Sequence, residues 1–437
     1  MYRRSNILCV VLAAIAAPAF ASGDLDPGFG SGGKASIDLG GANEHANALA
    51  RDASGNLYLA GGSDANGGAD FAVLKLDANG DPVAGFGNNG KAIIDAGGAD
   101  GANAIALDAS GNIFVAGGSG VSGSGEMTLL KLDATGHLAS GFASGGKFTL
   151  DLGGFETAVA IVLDGSGGMY LVGESGTVDG GAIVAKLDAS GHLVSGYGDN
   201  GVATIPMGAQ AVSTAKLDVS GRLVVSGFDS FGPFGGGEIV VAKVDASGHR
   251  VDTFGSSGVA YVYIDAGTFT TTTSPGGLAL DGAGNIYLGG YTDAALNFTA
   301  DLVAIKLDAN GALVSGFGDG GVVLLDRADS EDYASAIALD SAGNVYLAGS
   351  ISTNGDADFA VVELDAAGHL VAGFGDAGIK TVDFGDDAYA YGIVLAPDGH
   401  LYLGGGTYTD SSSNFAAAAL VIDSLDAIFA SGFDPAM

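Results

Sequence analysis

The sequence predicts an all-β chain folded as a seven-bladed β-propeller with four antiparallel strands to a blade. Three observations carry this: a repeat of about 57 residues, a turn signature at two fixed places in each repeat, and alternating hydrophobicity with no helical stripe. The repeat is visible in a Gly-aromatic step at Phe29, Phe86, Phe142, Tyr197, Phe254, Phe317, Phe374 and Phe433, spaced 57, 56, 55, 57, 63, 57 and 59 residues apart. A chain of 437 residues would ordinarily divide into two or three domains, but one array running through it replaces that division with a single domain over residues 22–437.

The first turn signature, Asp-x-x-Gly before an alternating run, recurs at Asp52, Asp108, Asp164, Asp218, Asp281 and Asp340, and in degraded form at 396–399. The second, an aliphatic residue followed by Asp-x-x-Gly, recurs at Asp77, Asp133, Asp188, Asp245, Asp308 and Asp365. Aspartate accepts backbone N–H bonds and the glycine takes positive φ, which is hairpin chemistry. In the second repeat the strands read as 103–107, 113–116, 127–132 and 147–151. Small residues such as Ala48, Ala50, Ala104, Ala106, Ala336 and Ala338 occupy the first strand four and two places before the anchor, as an innermost strand near a crowded axis requires. The chain starts part-way through a repeat, so residues 34–39 are expected to complete the last blade and close the ring, which removes the open edge of a linear array.

Residues 1–21 read as a secretory signal peptide: Arg3 and Arg4 precede an apolar run from Ile7 to Ala17, then Ala19-Phe20-Ala21. Cys9, the single cysteine, falls within it, so disulfides and thiolate chemistry are not expected in the mature protein. No segment is long and apolar enough to span a bilayer, and an exported monomer, periplasmic or extracellular, is expected. Sixteen basic against 50 acidic residues give a net charge of -34, which excludes non-specific nucleic-acid binding because phosphate is repelled. Hydrophobic residues nonetheless make up 47% of the chain and mean hydropathy is +0.36, so the acid does not signal disorder.

The stretches Leu-Asp-Ala-Thr-Gly-His-Leu-Ala-Ser-Gly-Phe (132–142) and Leu-Asp-Ala-Asn-Gly-Ala-Leu-Val-Ser-Gly-Phe (307–317), with Ala-Ile-Ala-Leu-Asp-x-x-Gly-Asn-x-aromatic at 104–114 and 336–346, resemble the delta-60 repeat of bacterial secreted β-propellers. Asp386-Asp-Ala-Tyr-Ala-Tyr-Gly-Ile393 is similar to the related SBBP seven-bladed propeller repeat. The resemblance covers residues 24–437 and implies the fold; it supplies no catalytic residues.

Features common to all repeats belong to the fold, so a site is sought where the copies differ. His137, His192, His249 and His369 occupy one turn position on four blades and read as solvated turn residues. Lys75, Lys131, Lys186, Lys243 and Lys306 recur on the third strand and are expected to pair with local acids. Eight residues before the turn anchors stand Glu44, Asp100, Glu156 and Asp332, with Asp387 one place further out in the last copy. At equivalent positions these would form an acidic ring at the channel mouth that draws a cationic ligand or holds calcium, with Glu44, Asp100, Glu156 and Asp332 as the metal ligands. Phe231, Tyr333 and Tyr389 on the same variable loops offer an aromatic recognition surface. No nucleophile elbow or zincin motif occurs, no catalytic residue is assigned and no cofactor is required. A non-enzymatic scaffold binding a protein, peptide or glycan leads; a secreted hydrolase or lyase using acids at the mouth, and a structural surface or matrix component, are the alternatives.

Overall fold

The computed structural model describes residues 21–121, 124–176, 180–229, 237–264, 273–293, 299–327, 330–353 and 355–422; residues 1–20 of the expected signal peptide, Phe231 and Phe433 lie outside them. Seven separate four-stranded antiparallel sheets are present, each one blade. Blade one comprises Glu44–Arg51, Leu57–Ser63, Asp70–Leu76 and Lys91–Ile94 from inside out. The inner strands of blades two to seven are Gly101–Leu107, Glu156–Leu163, Ala211–Leu217, Thr273–Leu280, Asp332–Leu339 and Asp387–Leu395. Each inner strand touches the inner strands on both sides, and that of blade seven touches that of blade one, so the array is a closed ring.

Closure is composite, as the sequence implies. Lys34–Ile37 forms the outermost strand of blade seven, pairing Lys34 with Ala418 and Ile37 with Phe415. The preceding segment adds backbone bonds from Gly23 N to Val421 O and from Asp26 N to Ala419 O, both near 2.9 Å.

The second blade departs from the expected boundaries. Its second strand runs on to Val121 and its third begins at Ser124, because Gly117, Gly118, Gly120 and Gly125 stay in the ladder as Gly120↔Gly125 and Val121↔Ser124 pairs. Those glycines read as loop, but the ladder runs on through them, with Gly120 at a φ of 132° that glycine tolerates.

The middle strands are buried at nearly every position, as Leu57–Ser63 and Asp70–Leu76 are, and successive side chains point to opposite faces, so each sheet has two apolar faces and must bury both. The buried side chains accordingly fall into seven clusters, each built from two adjacent blades; that between blades seven and one unites Phe29, Leu57, Leu59 and Leu74 with Tyr402, Phe415 and Ala417. No blade has a core of its own. Small residues let inner strands approach: a Cβ on Gly392 would meet the Leu49 Cβ of blade one at 2.5 Å.

The Gly-aromatic step pins the outer corner. Phe29, Phe86, Phe142, Tyr197, Phe254, Phe317 and Phe374 are all at most 2% exposed. Six stack edge-on against a ring of their own blade's second strand at 5.7–6.1 Å, as Phe86 does on Tyr58. The next residue's N–H donates to a turn carbonyl of the following blade. These bonds are Gly30→Asn79, Gly87→Thr135, Ala143→Ser190, Gly198→Ser247, Gly255→Asn310, Gly318→Ala367 and, closing the circle, Gly375→Ser22.

The third-strand lysines correct the expectation of local ion pairs. Lys75, Lys131, Lys186 and Lys306 lie 4.7–4.9 Å from the ring centroids of Tyr58, Phe114, Tyr170 and Tyr287, where the π-face attracts the ammonium. Blade four has Val224 in place of that ring, and there Lys243 makes a buried 3.2 Å ion pair with Asp218.

Replacing Phe29 with Ala is expected to lower stability by about 3–5 kcal/mol, as for a fully buried aromatic, and Phe86→Ala by a similar amount because the corner is the same. Denaturant unfolding of the two variants checks this; a cost under about 1 kcal/mol for both would remove the corner from the stabilising elements.

Candidate functional site

The twelve intact Asp-x-x-Gly turns use their carboxylates internally. Oδ1 of Asp52 accepts N–H bonds from Ser54 and Asn56 at 2.9 Å, and Asp77, Asp108, Asp188 and Asp308 repeat the pattern two and four residues on. These bonds favour the ionised form, and backbone donation holds Asp188, Asp308 and Asp365 below the ordinary carboxylate range. His192, His249 and His369 on the same turns have side chains about three-quarters exposed, as solvated turn residues should.

Sequence places Glu44, Asp100, Glu156 and Asp332 around an open mouth; the structure turns all four inward, at 0%, 5%, 0% and 0% exposure. Each stands where a crossover from the previous blade enters an inner strand, and its carboxylate folds back onto that crossover. Glu44 accepts from Leu39 N and Gly41 N at 2.6 Å; Glu156 accepts from Leu152 N, Gly154 N and Ser175 Oγ. Asp332 takes the Ser330 hydroxyl at 2.5 Å. Crossovers lie between sheets and have no ladder of their own, so Glu44, Asp100 and Glu156 satisfy their backbone N–H groups. Asp387 is exposed and accepts from Ala357 N at 2.8 Å.

A set of acids that the sequence reading did not single out lies beside them. Seven residues before the second turn signature stand Asp70, Glu126, Glu238, Asp301 and Asp358, a spacing as regular as those of the named anchors. Asp301 is fully buried and neither of its oxygens has a hydrogen-bond partner. Burial, with Asp326 and Asp332 close by, pushes its pKa up to about 6. Arg327 Nε comes within 3.7 Å of Asp332 and supplies positive charge there.

The aromatic expectation converges better. Tyr333 and Tyr389 occupy equivalent positions near the start of the inner strands of blades six and seven, each one place before the last pair ahead of a β-bulge. With Tyr291, Tyr391, Pro275, Gly276, Ser335 and Ser350 they line one depression of about 260 Å³ spanning blades five to seven. Tyr291 and Tyr333 meet edge-to-face at 4.9 Å, and Tyr389 meets Tyr408 at 5.6 Å. Tyr391 is the bulged residue itself, skipped by the ladder between Ala390 and Gly392. Burial and the nearby Glu331 raise the Tyr333 phenol to about 12, and burial also raises Tyr389 and Tyr391. At neutral pH they are therefore protonated donors with apolar faces. Glu331, bonded to Tyr333 Oη at 3.2 Å, and the exposed Asp387 bring negative charge to the rim. A second, more polar hollow of about 440 Å³ lies between blades three and four, lined by Glu174, Gln210, Asp229 and the exposed Phe155.

The family match agrees with the architecture. The Beta-propeller repeat family (SBBP) matches residues 267–297, in blade five. No curated protein sequence matches the chain. Among solved structures, the chain is similar to the polysaccharide lyase Uly1 at 11% identity and TM-score 0.49, covering 87% of this chain and 90% of that one. It is also similar to Chaetomium thermophilum Sqt1 bound to the N-terminus of ribosomal protein L10, at 13% identity and TM-score 0.46 over 86% and 97% of the two chains. A third is the PQQ-bound aldose sugar dehydrogenase of Streptomyces coelicolor, at 13% identity and TM-score 0.40 over 76% and 97%. Likeness at this level transfers neither an activity nor a partner. The fold defines a seven-bladed β-propeller, and the family match is confined to residues 267–297. Among the described residues no helix is long and apolar enough to cross a membrane.

Asp301 gives a pH test. Below about pH 4 it is protonated folded and unfolded alike. As pH rises towards 6 the unfolded chain ionises first, so the fold loses stability, and above 6 the loss is constant. Asp301→Asn removes this dependence: between pH 4 and pH 7.5, in EDTA, its stability should gain about 1–3 kcal/mol relative to the parent. Urea unfolding at the two pH values measures it, and parallel curves would show Asp301 to titrate normally.

Proposed function

We propose that the protein is an exported, non-catalytic binding scaffold that takes a basic peptide or basic protein segment in the tyrosine-lined depression across blades five to seven. The observation that carries the reading is the convergence of Tyr291, Tyr333, Tyr389 and Tyr391, from three different repeats, on one concave surface. Tyrosines that stay protonated are poor bases, but they offer large faces to apolar and cationic groups and hydroxyls to peptide carbonyls, which is the chemistry of a recognition surface. Glu331 and Asp387 at the rim, on a chain of net charge -34, favour positive partners over anionic ones through field and contact alike. Export is supported by the leader-like sequence of residues 1–21.

The chain has 14 tyrosines and no tryptophan, and four of the tyrosines line this surface, so intrinsic tyrosine emission includes a signal from it with no tryptophan background. Titration with Lys/Arg-rich, acidic and neutral peptides and with neutral oligosaccharides should show saturable quenching by the basic peptides. The Tyr333→Ala/Tyr389→Ala variant should bind them at least tenfold more weakly with its melting temperature nearly unchanged. Preference for oligosaccharide assigns the surface to a glycan, turnover of any probe assigns an enzyme, and binding unchanged in the variant removes the depression as the site.

A further inference from the structure

At the junction of blades one and two, three carboxylates from three different elements meet: Asp70 at the head of the third strand of blade one, Asp95 just beyond its outer strand, and Asp100 in the crossover just before the inner strand of blade two. One oxygen from each lies within 4.8 Å of the others, a grouping unique to this junction among the described residues. We propose that this cluster is a divalent-cation site, selective for calcium, that ties the crossover of residues 95–100 to the third strand of blade one.

The arrangement asks for a cation in a way that an ordinary acidic surface does not. Asp70 and Asp100 are 4% and 5% exposed, so water cannot screen their mutual repulsion. Oδ2 of Asp100 accepts the Ala96 N–H at 2.5 Å, whereas its buried Oδ1 has no hydrogen-bond partner. An ionised oxygen buried without a donor is costly unless a positive charge meets it. Neither Asp70, Asp95 nor Asp100 forms an ion pair with any described Lys, Arg or His. The nearby Lys147 ammonium is instead held by the Ala96 carbonyl. Burial first, and then the neighbouring aspartates, raise both Asp70 and Asp100 above the ordinary carboxylate range. At the equivalent junction of blades five and six, Asp301, Asp326 and Asp332 occupy the corresponding places, and there Arg327 reaches Asp332. A guanidinium thus approaches the acids at that junction, whereas no described Lys, Arg or His pairs with the cluster between blades one and two.

The ligand chemistry favours calcium: three carboxylates from three elements offer hard oxygens in an irregular arrangement, which calcium accepts with about 6–8 oxygens at about 2.3–2.6 Å, whereas magnesium demands a near-ideal octahedron and keeps most of its water. Asp95 is exposed, giving the ion a route from solvent and room for water to complete its shell. Asp95 Oδ1 also accepts the Gly97 N–H at 2.8 Å, so the same crossover carries two of the three ligands.

Isothermal titration of the EDTA-stripped, then desalted, full chain with calcium chloride tests this. Saturable binding with a dissociation constant below about 1 mM, the range of extracellular calcium modules, and a higher melting temperature in calcium than in EDTA are expected. Asp70→Asn/Asp100→Asn should weaken binding at least tenfold; Asp95→Asn, on the exposed side, should weaken it also and serves if the double variant does not fold. Asp151→Asn, the counterpart of Asp95 at the next junction, should bind as the parent does. Absence of saturable binding by the parent, or undiminished binding in both variants of the cluster, overturns the site. Magnesium binding as tight as calcium overturns the choice of ion.

Discussion

Every part of this structure depends on the ring being closed. A blade with two apolar faces has no stable existence by itself, and each of the seven hydrophobic clusters is shared between neighbours. An open array would leave the outer faces of its first and last blades in water and expose two sheet edges. The chain avoids both by lending Lys34–Ile37 to the blade formed by its last described strands. The seven inter-blade bonds from Gly30→Asn79 round to Gly375→Ser22 fix the angle between neighbours at the outer corner while the inner strands fix it at the axis. With both held, loops hundreds of residues apart in sequence acquire a defined geometry.

Closure also settles what the acidity is for. Fifty carboxylates on one chain would repel one another and destabilise a compact state if all were merely solvated. Here one group closes hairpin turns by accepting the N–H groups two and four residues on, and a second braces the crossovers between blades, as Glu44 and Glu156 do. Both groups gain hydrogen bonds by being charged. A third group stands at the heads of third strands, and its member Asp301, buried with no donor to either oxygen, holds its proton up to about pH 6. The aromatic residues divide similarly: the corner rings are structural in every blade, whereas Tyr333 and Tyr389 at the inner-strand starts of blades six and seven and Tyr291 at the end of the second strand of blade five have no sevenfold counterpart.

How much was legible follows from whether a residue's role is local. The Asp52 and Asp77 turns could be read directly, because the donors to each carboxylate lie within four residues. Tyr291, Tyr333 and Tyr389 could be nominated as aromatics of the variable loops, but Tyr391 joins them only because a bulge brings it there. Glu44 and Asp100 were legible as equivalent, yet their direction was not. Whether such a carboxylate faces the channel or folds back on its crossover depends on backbone N–H groups of the preceding blade's exit loop, which no spacing reveals. The lysines misled for a related reason: an acid is close in sequence, but the ring beneath each ammonium lies on the neighbouring strand.

The sequence alone therefore determined the number of blades, the strands within each, the turn chemistry and the composite closure, since all of these arise from periodicity and from contacts inside one repeat. Tertiary structure decided which side chains from different repeats share a cavity, which carboxylates are buried, and where negative charge accumulates without a partner. Those depend on the angle between blades and on desolvation, which belong to the closed ring and not to any segment of it.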